Sequence, residues 1–108
     1  MSEQVNNDLT KDEKLKTSVL RNFITDQGSI KQLPSQLKKR LIVLEHIAAQ
    51  IKPDQHYTEK EINDFIKPLH ADYATIRREL YIHRFVNRDH EIYHVNDPSQ
   101  WRDWRTLS

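Results

Sequence analysis

The chain has 108 residues, which fits one domain and leaves little room for a second independent core. Hydrophobic residues make up 36% and charged residues 31%, with 17 Lys and Arg against 16 Asp and Glu, so the net charge of +1 falls well short of the basic excess of a domain that coats nucleic acid non-specifically. The absence of cysteine excludes disulfides, thiol nucleophiles and thiolate metal sites, and a single glycine excludes phosphate-cradling loops and dinucleotide fingerprints.

No apolar run approaches the length of a membrane span, and Met1-Ser2-Glu3-Gln4 lacks the basic-then-apolar layout of a secretory signal, so the expected location is cytoplasmic. Residues 1–9 carry too few large apolar side chains to offset the entropy of ordering and are expected to form a flexible N-terminus. Thr10-Lys11-Asp12-Glu13 has capping-box spacing, and Leu15, Val19, Leu20, Phe23 and Ile24 recur at helical intervals, which predicts a helix over about 10–25. Gly28 stops it, and a short extended piece from Ile30 ends at Pro34. Ser35 is placed to cap a core helix over 36–51, with Leu37, Leu41, Leu44, Ile47, Ala48 and Ile51 on one stripe.

His56-Tyr57 then runs extended into a second capping box, Thr58 to Glu61, opening a short helix that turns Ile62, Phe65 and Ile66 inward and stops before Pro68. Asp72 caps a helix to about Ile82 with Tyr73, Ile76 and Leu80 inward, Arg78 nearly opposite and Arg77 at the edge of the stripe. Residues 85–95 read as a hairpin around Asp89-His90-Glu91, and Asp97-Pro98 opens a last short helix carrying Trp101 and Trp104 on one face. The expected fold is therefore mostly α with a small β-hairpin: a winged helix-turn-helix over residues 10–96, with an extra N-terminal helix and a short C-terminal helix or tail over 97–108.

The residues Val19-Leu20-Arg21-Asn22-Phe23, Gly28, Lys31-Gln32-Leu33-Pro34, Lys38-Lys39-Arg40-Leu41 and Tyr57 to Asn63 lead into His70-Ala71-Asp72-Tyr73-Ala74-Thr75-Ile76-Arg77-Arg78. Over about residues 19–95 the chain resembles a widespread, largely uncharacterised bacterial domain family whose hallmark is His-x-Asp-x-Ala-Thr-x-Arg-Arg. The resemblance implies a winged-helix domain, standing alone or fused to arsenic-repressor-type helix-turn-helix domains, in proteins labelled transcription regulators. It supplies no catalytic residues; its polar motif members here are His70, Asp72, Thr75, Arg77 and Arg78. Two departures stand out: Arg84 occupies a position usually held by glycine, and the hairpin lacks its customary glycine and Tyr-Trp ending, reading Tyr93-His94.

The resulting expectation is a non-catalytic DNA-binding transcription regulator, with residues 72–82 as recognition helix and 85–95 as wing. Arg78, Arg77, Thr75 and Tyr81 would meet bases or phosphates, while Arg88 and His90 on the wing and Lys38 and Lys39 at the start of the core helix would touch the backbone of double-stranded DNA. The bland reading of Arg77 is a pairing with Asp72 or a Glu of the preceding helix, that of Lys38-Lys39-Arg40 is a solvated face, and His70 beside Asp72 reads as a local orienting hydrogen bond. The stripe Leu15, Val19, Leu20, Phe23 and the pair Trp101, Trp104 either pack on the domain or build a homodimer interface. No metal site is expected, because no HxxxH or HxH pair occurs on one element, and no cofactor, membrane contact or small-molecule substrate is indicated. The rival reading is a protein-interaction or dimerisation module on the same fold without DNA contacts.

Overall fold

In a computed structural model, the backbone is described for residues 2–107 and side chains for residues 11–107. No proline or glycine falls between residues 2 and 23, and helix α1 runs over Ser2–Phe23. It begins well ahead of the expected start at Thr10. The Thr10 to Glu13 spacing can cap a helix, but nothing upstream forces the chain out of helical geometry, so the capping spacing lies inside the helix. Met1, the first residue of the expected tail, lies outside the described residues. Val19 is buried and Leu15, Leu20 and Phe23 are partly buried against the core.

After α1 the chain turns through Thr25–Ser29, where Gly28 adopts φ +89 and its N–H donates to the Thr25 carbonyl at 2.9 Å. That left-handed geometry is open to glycine without steric cost. The Ile30 N–H then donates to the Leu69 carbonyl at 2.7 Å, tying this loop to the one that precedes the 73–82 helix.

Helix α2 spans Leu37–Ala48, not 36–51. Its N-cap is Gln36, without a side-chain cap, and Ser35 does not fill that role. Instead the Ser35 carbonyl accepts from Arg40 Nη2 at 2.6 Å and the Pro34 carbonyl from Arg40 Nε at 3.0 Å. At the other end the backbone tightens into i to i+3 bonds, Gln50 to Ile47 and Ile51 to Ala48, before Pro53, which disfavours a helical Lys52. Leu41, Ile42, Val43, Leu44 and Ile47 are all essentially inaccessible to solvent, and each such burial contributes roughly 1.5–3 kcal/mol.

Strand β1, Tyr57–Thr58, leads into helix α3, Glu59–Ile66, through the expected capping box: Thr58 Oγ1 accepts from the Glu61 N–H at 3.1 Å and Glu61 Oε1 from the Thr58 N–H at 2.8 Å. Ile62 and Ile66 are buried and Phe65 is partly so. Helix α4 follows over Tyr73–Ile82, capped by Asp72 and burying Ile76 and Leu80. Strands β2, Val86–Asp89, and β3, Ile92–Val95, form the expected hairpin. With β1 they make a three-stranded antiparallel sheet of order β1-β3-β2, in register Tyr57 to Tyr93 and Arg88 to Tyr93.

The C-terminal segment departs from expectation. In place of one helix there are two separate 3-10 turns, Pro98–Gln100 and Trp104–Thr106, with Trp101 extended between them. Tertiary contacts win over helical periodicity here. Trp101 Nε1 donates to the Asn96 carbonyl at 2.9 Å with its ring 5.4 Å from that of Phe85, and the Arg102 N–H donates to the His83 carbonyl at 3.1 Å. Trp104 is fully buried, and its Nε1 donates to Glu45 Oε1 on α2 at 3.3 Å. The stripe Leu15, Val19, Leu20, Phe23 and the pair Trp101, Trp104, both considered for a dimer surface, thus pack against the core of their own chain. Among the described residues no helix is long and apolar enough to cross a membrane.

Candidate nucleic-acid interface

Asp72 sets the geometry of α4. Its Oδ1 accepts from the Thr75 N–H at 3.3 Å and its Oδ2 from Thr75 Oγ1 at 2.8 Å, which satisfies the helix N-terminus and holds the Asp72 carboxyl below its ordinary pKa. His70 Nδ1 accepts from the Asp72 N–H at 2.9 Å, so this histidine orients the turn into the helix. Thr75 is consequently engaged in the cap, and its hydroxyl proton is directed at Asp72.

With Ile76 and Leu80 turned into the core, helical geometry sends Arg78 outward. Arg78 is exposed and has no hydrogen-bond or ion-pair partner among the described residues. Arg77 is different. Its Nη1 donates to the Asn63 side-chain carbonyl on α3, so it holds the two helices together through a neutral amide, and not through Asp72 or a glutamate as the bland reading had it.

Between α4 and the hairpin lies a groove of about 340 Å³ lined by Arg77, Arg78, Tyr81, Ile82, Arg88 and Tyr93. Four of these, Arg77, Arg78, Tyr81 and Arg88, are among the residues singled out from the sequence. Arg88 is held in place: its Nε donates to the His90 carbonyl at 2.6 Å and its guanidinium carbon stands 6.0 Å from the centre of the Tyr93 ring. Tyr93 is buried, its hydroxyl donates to Glu59 Oε1 at 3.1 Å, and burial followed by that bond raises its pKa. Tyr81 and Ile82 are 48% and 53% exposed and, with Ile92, are the exposed large hydrophobic side chains among the described residues.

His90 sits at the exposed tip of the hairpin, where Asp89 pairs with Ile92 across a two-residue turn; its φ of 60 does the work of the absent glycine, and its Nδ1 lies 2.9 Å from Asp89 Oδ1. Arg84, the other departure, has φ 67. Lys38 and Lys39 are half-buried at the start of α2 and do not line the groove, and Lys38 Nζ donates to the Leu107 carbonyl at 3.5 Å.

Behind α4 is a polar cluster that the sequence reading did not single out. Arg40 Nη1 donates to Glu79 Oε1 at 3.0 Å, His83 Nε2 lies 3.4 Å from the same oxygen, and Arg102 Nη1 lies 3.5 Å from His83 Nδ1. His83 is the one buried polar or charged residue among those described, and burial, outweighing Glu79, lowers its pKa. The Glu79 to His83 spacing of four is legible in a sequence, whereas Arg40 stands 39 residues from Glu79 and carries no local signal. Among the described residues no group of three His, Asp or Glu side chains is placed to hold a metal ion.

The family model described as "Uncharacterized protein conserved in bacteria (DUF2087)" matches residues 29–95, well over half of the chain and from α2 through the hairpin in full. The match opens later than the resemblance read from Val19 onward. No curated protein and no solved structure matches the chain.

Proposed function

The chain belongs to this uncharacterised bacterial family, and we propose that its fold is a winged helix-turn-helix that binds double-stranded DNA as a non-catalytic regulator of transcription. Support comes from the order α2-β1-α3-α4-β2-β3 with sheet order β1-β3-β2, which sets a helix pair beside a two-stranded hairpin as that fold requires. The observation that carries the reading is Arg78: exposed on α4, without a hydrogen-bond or ion-pair partner among the described residues, and facing the groove that Arg77 and Arg88 also line. A guanidinium in that position can pair bidentately with guanine or clamp a phosphate.

In this reading Arg78 and Tyr81 enter the major groove, Arg77 holds α4 at its angle while adding charge, and Arg88 and His90 meet the backbone. Thr75 serves the helix cap and Asp72 and His70 shape the turn. Lys38 and Lys39 are peripheral. The stripes weighed as dimer surfaces pack internally, so the proposal is framed per subunit.

Fluorescence anisotropy of a labelled duplex over a salt series tests it. Each phosphate neutralised contributes about −0.9 to the log–log slope, which gives roughly −3 for one subunit using three arginines and roughly −5 to −7 for a pair of subunits. Arg78→Ala should flatten the slope by about 1. Absence of duplex binding at low salt rejects the reading and favours the interaction-module alternative, for which exposed Tyr81 and Ile82 are the observation in hand.

A further inference from the structure

The groove between α4 and the hairpin has an electrostatic imbalance. Three guanidiniums line it, and none of its lining residues is a carboxylate. Each guanidinium makes its direct contacts with neutral groups or with none: Arg77 with the Asn63 amide, Arg88 with the His90 carbonyl and the face of Tyr93, while Arg78 has no hydrogen-bond or ion-pair contact among the described residues and feels the Asp72 carboxylate only through space. Two carboxylates act on the lining from outside the groove surface, Glu59 through the Tyr93 hydroxyl and Asp72 through its field on Arg78. Gathering like charges without an anion costs free energy, and a site that tolerates this cost is organised for an anionic ligand. Two of the three guanidiniums are already held by hydrogen bonds, so a ligand would order little beyond Arg78.

The remaining lining is two tyrosines and an isoleucine. Tyr81 and Ile82 stand half-exposed on the α4 side, where a planar group could stack on the phenol ring or under the Arg78 guanidinium. The volume of about 340 Å³ lies at the small end of ligand clefts and suffices for one mononucleotide.

We infer that this groove binds a phosphate monoester carrying a planar body, with the phosphate between Arg78 and Arg88 and the body against Tyr81 and Ile82. The inference shares residues with the duplex reading but does not depend on it; where both hold, the small ligand and the duplex compete.

The test is a heteronuclear NMR titration of the full chain with adenosine monophosphate, adenosine and inorganic pyrophosphate. The expected result is saturable shifts at Tyr81, Ile82, Arg88 and Tyr93 with the monophosphate, with binding about tenfold weaker for pyrophosphate and no saturation with adenosine. Arg78→Ala and Arg88→Ala should each weaken the monophosphate about tenfold, while Arg21→Ala on α1 leaves it unchanged. The inference is overturned if the groove residues do not move, if adenosine binds as well as the monophosphate, if pyrophosphate binds as tightly, or if the arginine variants bind normally. A duplex arm separates the two claims: duplex binding without monophosphate binding removes this inference alone, and the reverse removes the regulator reading alone.

Discussion

The Arg77 guanidinium donates to the Asn63 side-chain carbonyl, joining α4 to α3, while the adjacent Arg78 points to solvent. Two consecutive arginines therefore have separable duties. Arg77→Ala removes a hydrogen bond to a charged donor and leaves the Asn63 amide without it, and should lower stability by about 1.5–3 kcal/mol. Arg78→Ala should change stability by less than about 0.5 kcal/mol and still weaken duplex binding. Urea denaturation of both variants, read beside their affinities, checks the division.

Arg84 holds φ 67 without an aspartate-like side chain to stabilise it. Its N–H donates to the Tyr81 carbonyl at 3.1 Å and its carbonyl accepts from Asn96 Nδ2 at 2.9 Å, and glycine preserves both bonds. Arg84→Gly should stabilise the domain by about 1 kcal/mol by relieving the left-handed strain, raising Tm by roughly 4–8 °C. An unchanged or lowered Tm would show that the Arg84 side chain contributes more than its backbone costs.

Trp104 and Glu45 anchor the C-terminal turns to α2. Trp104→Ala opens a cavity under the turn and should cost about 3–5 kcal/mol. Glu45→Ala releases the Trp104 indole, the Arg105 guanidinium at 3.1 Å and Lys16 Nζ at 3.9 Å, and should cost less, about 1–3 kcal/mol, since Arg105 remains half-exposed. Differential scanning calorimetry ranks the two.

His83 is buried among Glu79, Arg40 and Arg102, and burial lowers its pKa below the ordinary 6.5. His46 on α2 is shifted the same way, by burial and then by Lys16. Below about pH 6.5 the unfolded chain then binds more protons than the folded one, so stability falls as pH falls from there through the folded-state values and is fully present above 6.5. Urea midpoints at about pH 7.5 and about pH 5.5 should differ in that direction, and His83→Gln should reduce the difference.

Local chemistry was legible in the sequence and distant chemistry was not. The Thr58–Glu61 box and the Asp72 cap were readable because a side chain and the backbone it serves lie within three residues. The Ser35 cap failed because the helix opens one residue later, at Leu37 with Gln36 as N-cap, and the last helix failed because Trp101 is drawn to Phe85 and Asn96. Four groove residues were found from helical phase and hairpin position. Their neutral partners, which leave the groove positively charged, depend on contacts such as Asn63 with Arg77 that only the folded chain brings together.

The most direct measurement is an amide chemical-shift map of the labelled protein as unlabelled duplex is added at low salt. The account predicts saturable changes concentrated on Arg77, Arg78, Tyr81 and the 88–91 hairpin tip, with α1 and the C-terminal turns unaffected. Changes confined to α1, or no saturable change at all, would contradict it.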